Sequence, residues 1–192
     1  MNQITITNRI RNSFPKELSQ EVNVIAELLS VENIKCNRLY SNNNIEILLN
    51  GSIINIPYRI YFSELKNTAK LNENERNILN CIYSRHNNGF VRQKYIEKMI
   101  ENKNYWVTPF FIQLFGEYIY RIIEIFNEYL TNNLDNCIKF INENQKYWKK
   151  IESKVASYWN EYYREECPKY SKYLGKEIIN KIRKNSIRSH SI

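Results

Sequence analysis

The sequence predicts a mainly α fold of the α+β kind: a compact helical bundle with one N-terminal β-hairpin at about 45–62 and a long C-terminal helix. Three observations carry this. From residue 71 onward apolar residues recur at spacings of three and four, the period of an amphipathic helix. Asn50-Gly51 stands between two β-branched runs, the strongest short-range hairpin signal, because both residues tolerate positive φ. Gly and Pro number four each in 192 residues, too few for a fold of many tight turns. A hydrophobic fraction of 43% excludes a disordered chain. A chain of this length hides roughly 70% of its unfolded surface on folding.

Phe14-Pro15 precedes a helix from Lys16 to about Val31, with Leu18, Val22, Ile25, Leu28 and Leu29 at helical spacing. Residues 41–44 form a turn cluster. Residues 45–49 and 53–62 are the hairpin strands. Pro57 cannot donate to a ladder, so the second is an edge strand or is broken there. Helices over 71–86 and 90–103 are separated by Asn87-Asn88-Gly89, where Gly89 suits a left-handed position. Thr108 is placed to cap, and Pro109 to open, a helix over 109–131. On it Glu117, Arg121, Glu124 and Glu128 fall within about 60° of one another. A charged stripe so narrow belongs to a central helix with neighbours on most sides. It reads either as a solvated stripe with ion pairs around Arg121 or as carboxylates lining a cleft. Thr131-Asn132-Asn133 marks the next break. Beyond it Leu134, Ile138, Ile141, Gln145, Trp148, Glu152, Val155, Trp159 and Tyr162 form a heptad seam with two polar interruptions. One helix of about 30 residues, or two joined near 143–146, fits that seam. The expected organisation is a single helical domain over 1–168, with helix and hairpin at about 14–62 and a helical body at about 71–168. A basic C-terminal tail or short helix follows at 169–192.

Scarce residues limit the chemistry. Asp135 is the sole aspartate, which excludes an Asp-centred two-metal site. Gly51, Gly89, Gly116 and Gly175 are too far apart to build a phosphate-cradling loop. With His86 and His190 as the histidines, a zinc site made mainly of His is excluded. Cys36, Cys81, Cys137 and Cys167 include no C-x-x-C pair, and read as small buried hydrophobes in a reducing compartment. No metal and no cofactor is expected. An Arg-x4-His ribonuclease motif is absent, because position 81 is Cys and position 185 is Asn. Glu101-Asn102-Lys103 ends a predicted helix rather than a strand, so it is no restriction-nuclease core. A Ser–His–Asp triad would need Asp135 and has no nucleophile elbow. The polar stretch 1–11 lacks the apolar run of a signal peptide. The uncharged stretch 105–116 is shorter than the about 20 residues a bilayer span needs. A cytoplasmic protein that is not an integral membrane protein is expected.

Two resemblances concern the middle of the chain. Gly89-Phe90-Val91-Arg92, opening a helix after a short turn, resembles the second helix of a HEAT-type repeat. That resemblance covers about 71–130 and implies that Val91 packs in a core and Arg92 joins a polar ladder. No 40-residue period accompanies it, so it implies HEAT-like helical pairs in a bundle rather than a solenoid. More broadly, the chain is similar to a family of uncharacterised bacterial proteins. The matching pieces are Ile56-Pro57-Tyr58-Arg59-Ile60-Tyr61, Ser84-Arg85-His86 with Gly89-Phe90-Val91-Arg92, and Trp106 with Pro109-Phe110 and Gln113 to Tyr118. Tyr158-Trp159, Tyr162-Tyr163-Arg164 and Pro168 complete them. This second resemblance carries no catalytic residue across.

The candidate site residues are Arg59, Ser84, Arg85, His86, Arg92, Gln93 and Glu117. Arg85 and Arg92 flank a turn, where two helix ends can converge on an anion or phosphate. His86 is a candidate acid–base group, because imidazole exchanges protons near neutral pH. The alternative is a helix–turn–helix junction held by its own hydrogen bonds. The aromatics Tyr147, Trp148, Tyr158, Trp159, Tyr162 and Tyr163 read as core or helix interface, or as a base-stacking platform.

The formal net charge is +8. Residues 91–168 are neutral, whereas 169–192 hold Lys169, Lys172, Lys176, Lys181, Arg183, Lys184 and Arg188 against Glu177. From Lys172 onward this basic set is the candidate contact for nucleic acid or an acidic partner. The leading expectation is a non-enzymatic helical interaction or regulatory protein, acting on a protein partner or as a homo-oligomer. Nucleic-acid binding is the alternative, and a small hydrolase centred on His86 the weaker one.

Overall fold

A computed structural model of the protein describes residues 8–33 and 43–188. Cys36, His190 and the first two residues of the 41–44 turn cluster lie outside them. The chain is mainly α, with one two-stranded antiparallel hairpin among the described residues. The backbone groups into two compact units, divided between Met99 and Ile100.

In the first unit, α1 spans Ser19–Glu32 and buries Val22, Ile25, Ala26 and Leu29. Strands β1 (Asn44–Leu49) and β2 (Ser52–Pro57) pair in register from Asn44 opposite Pro57 to Leu49 opposite Ser52. Asn50 (φ 49°) and Gly51 (φ 77°) both take the left-handed conformation that a two-residue hairpin turn needs. The second strand stops at Pro57, not at residue 62. Proline supplies no N–H to continue the ladder. The chain leaves the sheet, and Ile60 instead pairs in parallel with His86. Helix α2 (Glu73–Tyr83) starts in a capping box: the Asn72 side chain accepts from the Glu75 N–H, and Glu75 accepts from the Asn72 N–H. Helix α1 packs on α2, and α2 on α3 (Gly89–Glu97). Helix α3 ends at Lys98, earlier than the expected 103, where the Lys98 N–H turns to the Ile96 carbonyl.

In the second unit, a 3-10 turn at Tyr105–Val107 leads into α4 (Thr108–Phe115). Every residue of α4 is buried, and Pro109 occupies its first turn. Thr108 does not cap it; its hydroxyl is hydrogen-bonded to the Tyr129 hydroxyl at 3.0 Å. The single helix expected over 109–131 is broken. Helix α4 ends at Gly116, and α5 (Tyr120–Glu143) begins after the extended Ile119. Close approach explains the glycine: a Cβ on Gly116 would stand 2.9 Å from Ile151 Cδ1. Helix α5 kinks at Asn133 (φ −131°, ψ 22°), within the expected Thr131-Asn132-Asn133 break. It is separated from α6 (Gln145–Tyr158) at Asn144, so the heptad seam is carried by two helices. A π-helical turn, Trp159–Tyr163, and a 3-10 turn, Tyr170–Lys172, lead to α7 (Leu174–Arg188). The basic C-terminal segment is therefore a 15-residue helix over most of its length. Helix α5 packs against α4, α6 and α7. Phe111 stacks on Tyr129, and Phe115 on Phe126 and Trp148. Ile178, Ile179 and Ile182 bury the inner face of α7. Among the described residues no helix is long and apolar enough to cross a membrane.

Candidate functional site

The residues singled out around the α2–α3 turn do converge in the first unit. Capping of α2 and pairing of Ile60 with the turn bring 58–64 against 84–92. The Ile60 N–H donates to the Arg85 carbonyl at 2.9 Å, and the Asn87 N–H to the Ile60 carbonyl at 2.9 Å. Ser84 Oγ donates to the Cys81 carbonyl at 2.6 Å. Arg85 is 1% exposed, and its Nη2 donates to the Tyr58 carbonyl at 2.8 Å. Arg92 is 2% exposed; its Nη1 donates to the carbonyls of His86 at 2.9 Å and Asn87 at 3.0 Å. Arg59 lies over the Tyr58 ring and donates to the Tyr58 carbonyl. Gln93 is half-buried on α3. Each of these three arginines donates to a backbone carbonyl, which ties the junction together.

The His86 imidazole is engaged at both nitrogens. Nδ1 accepts from the Asn88 N–H at 3.0 Å, so the proton sits on Nε2, 3.0 Å from the Phe62 carbonyl that accepts it. Desolvation holds its pKa below the ordinary value, although the bond to Phe62 and the charge of Glu64 oppose this. A neutral ring with both nitrogens bonded to backbone is a poor proton shuttle and a good strut. Glu117 belongs to the second unit, where it is buried in the connection between α4 and α5. The expected carboxylate stripe is accordingly interrupted. Arg121 pairs with Glu124 at 3.4 Å and Glu128 at 3.2 Å on the exposed face of α5.

The basic C-terminal residues are presented by structured chain. Lys172 is exposed at the end of the 3-10 turn, and the Lys176 ammonium lies 5.6 Å from the Tyr170 ring centre. Arg183 makes a bidentate contact to Glu152 of α6, at 3.0 and 2.9 Å. Lys181 and Lys184 are exposed, and Arg188 ends the helix. Cys81 and Cys137 are buried free thiols whose pKa values burial raises; Cys167 is half-buried. Among the described residues no cluster of His, Cys, Asp or Glu could hold a metal ion.

The aromatic stripe of α6 divides by place. Trp148 is core, and Tyr147 meets the edge of Phe140. Tyr158, Tyr162 and Tyr163 instead join Tyr118 and Tyr120 in a surface cluster around the π-helical turn. Tyr162 is 54% exposed, Tyr118 46% and Tyr120 40%. The Tyr163 hydroxyl donates to the Tyr118 carbonyl, fixing the α4–α5 connection to this turn. Sequence spacing found the α6 members. It missed the joining of Tyr118 with Tyr120, because a continuous helix over 109–131 would have set them about 200° apart, with Tyr118 on its apolar arc. Comparisons with protein-family models, curated proteins and solved structures find no match.

Proposed function

We propose that the protein is a non-enzymatic helical interaction or regulatory protein of the bacterial cytoplasm, and that its second unit docks a protein partner through the tyrosine cluster. The observation that carries this is the exposure of Tyr118, Tyr120 and Tyr162 side by side at a π-helical turn. A soluble protein covers large rings at little cost, yet three are held in the open here. Tyrosine offers wide, rigid contact area with a polar handle and is enriched among binding hot spots. Single-turn π-helices are frequent at functional sites. The self-bonded junction around His86 favours support over catalysis. Size-exclusion with light scattering, joined to capture of partners from the host, tests the proposal. The expected result is a stoichiometric complex or a defined homo-oligomer, lost on Tyr118→Ala/Tyr162→Ala substitution with far-UV spectrum and Tm retained. A monomer that retains nothing at stoichiometry overturns it.

A further inference from the structure

The fold joins two basic segments that are separate in the sequence. Helix α6 carries Lys146, Lys149, Lys150 and Lys154 against Glu152. Helix α7 carries Lys176, Lys181, Arg183, Lys184 and Arg188 against Glu177. These two helices pack side by side, and the Arg183–Glu152 contact bridges them. Their joint net charge is seven of the chain's +8. Between them runs a shallow cleft of about 370 Å³, rimmed by Lys149 and Arg183. Lys146, Lys149, Lys150, Lys181 and Lys184 are all exposed.

We infer that this α6–α7 face binds the phosphate backbone of double-stranded nucleic acid without reading its sequence. Charge is the first argument. Lys146 to Lys154 spans about 12 Å of helix at 1.5 Å per residue. A duplex carries one charge per about 1.7 Å of axis with both strands counted, so that length carries roughly seven phosphates, of which the face meets those on its own side. What the face lacks is the second argument. The exposed large apolar residues of the described chain are Val24, Leu28, Val31, Ile53, Phe90, Tyr118, Tyr120 and Tyr162, none of them on the lysine-bearing stretches 146–154 and 176–184. A protein interface wants an apolar or aromatic anchor and is depleted in lysine. A membrane-surface helix inserts an apolar face, whereas that of α7 is already buried by Ile178, Ile179 and Ile182. Single-stranded nucleic acid wants stacking rings beside the charge. A lysine face with a closed apolar floor suits a backbone held by charge alone. The inference uses a surface other than the tyrosine cluster, so either reading can fail alone.

Fluorescence anisotropy with a random-sequence 24-base-pair duplex, as DNA and as RNA, tests it on the full-length protein. The probe is titrated from 50 to 300 mM salt. Binding at low salt, weakening log-linearly with salt, is expected. The Lys146→Gln/Lys149→Gln/Lys150→Gln variant should bind at least tenfold more weakly at 50 mM salt, with its salt slope shallower by roughly one per lysine that meets a phosphate. A control variant, Lys16→Gln/Lys66→Gln/Lys70→Gln, removes equal charge from exposed positions of the first unit and should bind as the parent does. No binding at 50 mM salt overturns the inference. So does an equal loss in the control, or tighter binding of a single strand of the same length.

Discussion

His86 shows how a reactive side chain can be spent on structure. Its Nδ1 accepts from Asn88 and its Nε2 donates to Phe62, so protonation at Nδ1 breaks one bond of the junction. Burial lowers its folded pKa below the ordinary 6.5. The sign follows: below pH 6.5 the unfolded chain takes up a proton that the folded chain resists, so stability rises with pH there. The contribution is fully present above 6.5 and is lost as pH falls through the lowered folded value. An NMR titration of the His86 ring should show an Nε2-protonated neutral tautomer with a midpoint below 6.5. A midpoint at or above 6.5 contradicts this account of the junction. The residue pattern Ser84-Arg85-His86 to Arg92 was legible as a convergence of chemistry-bearing groups. The partners of Arg85 and His86 were not, because they are the backbone carbonyls of Tyr58 and Phe62, some 25 residues away and beyond a proline that ends a strand.

At the scale of elements, local signals served in part: Thr108 does not cap α4, and Gly89 opens α3 without the expected left-handed φ. Asn50-Gly51 specified its turn through φ alone, and Asn72 and Glu75 stand at capping-box spacing. The break between α4 and α5 had no such local cause. Gly116 closely approaches Ile151, a neighbour 35 positions away in the chain, which no window of periodicity contains. Gly175 repeats the device on α7. A Cβ there would stand 2.7 Å from Val155 Cγ1 and 2.8 Å from Tyr173 Cε1, both on buried side chains. Gly175→Ala gains about 1 kcal/mol of helix propensity, against about 1–3 kcal/mol for overpacking. The expected net is destabilisation, read as a lower Tm in thermal unfolding. An unchanged or raised Tm would show that α6 and α7 are packed less closely than described.

For the whole molecule, what changes most is the meaning of the charge. Along the sequence the basicity belongs to the end of the chain, after a neutral body. In the fold that end is a helix with its inner face in a core, and the lysines of α6 lie beside it. Removal of 169–192 is then no removal of a tail. Ile178, Ile179 and Ile182, each 1% exposed, contribute about 2 kcal/mol apiece through burial, a large share of the 5–15 kcal/mol typical of a domain. The 1–168 fragment should bind a hydrophobic dye and lose cooperative unfolding of its second unit. Native-like unfolding of that fragment would refute this packing.

On the proposed function, the second unit presents its tyrosine cluster to a partner while the His86 junction is support. A photo-crosslinking benzoylphenylalanine at position 162, in the host cell, addresses it most directly. The account predicts one discrete ultraviolet-dependent adduct from the probe at position 162, and none from the same probe in place of the exposed Lys66 of the first unit. No adduct from position 162, or the same adduct from both positions, would contradict it.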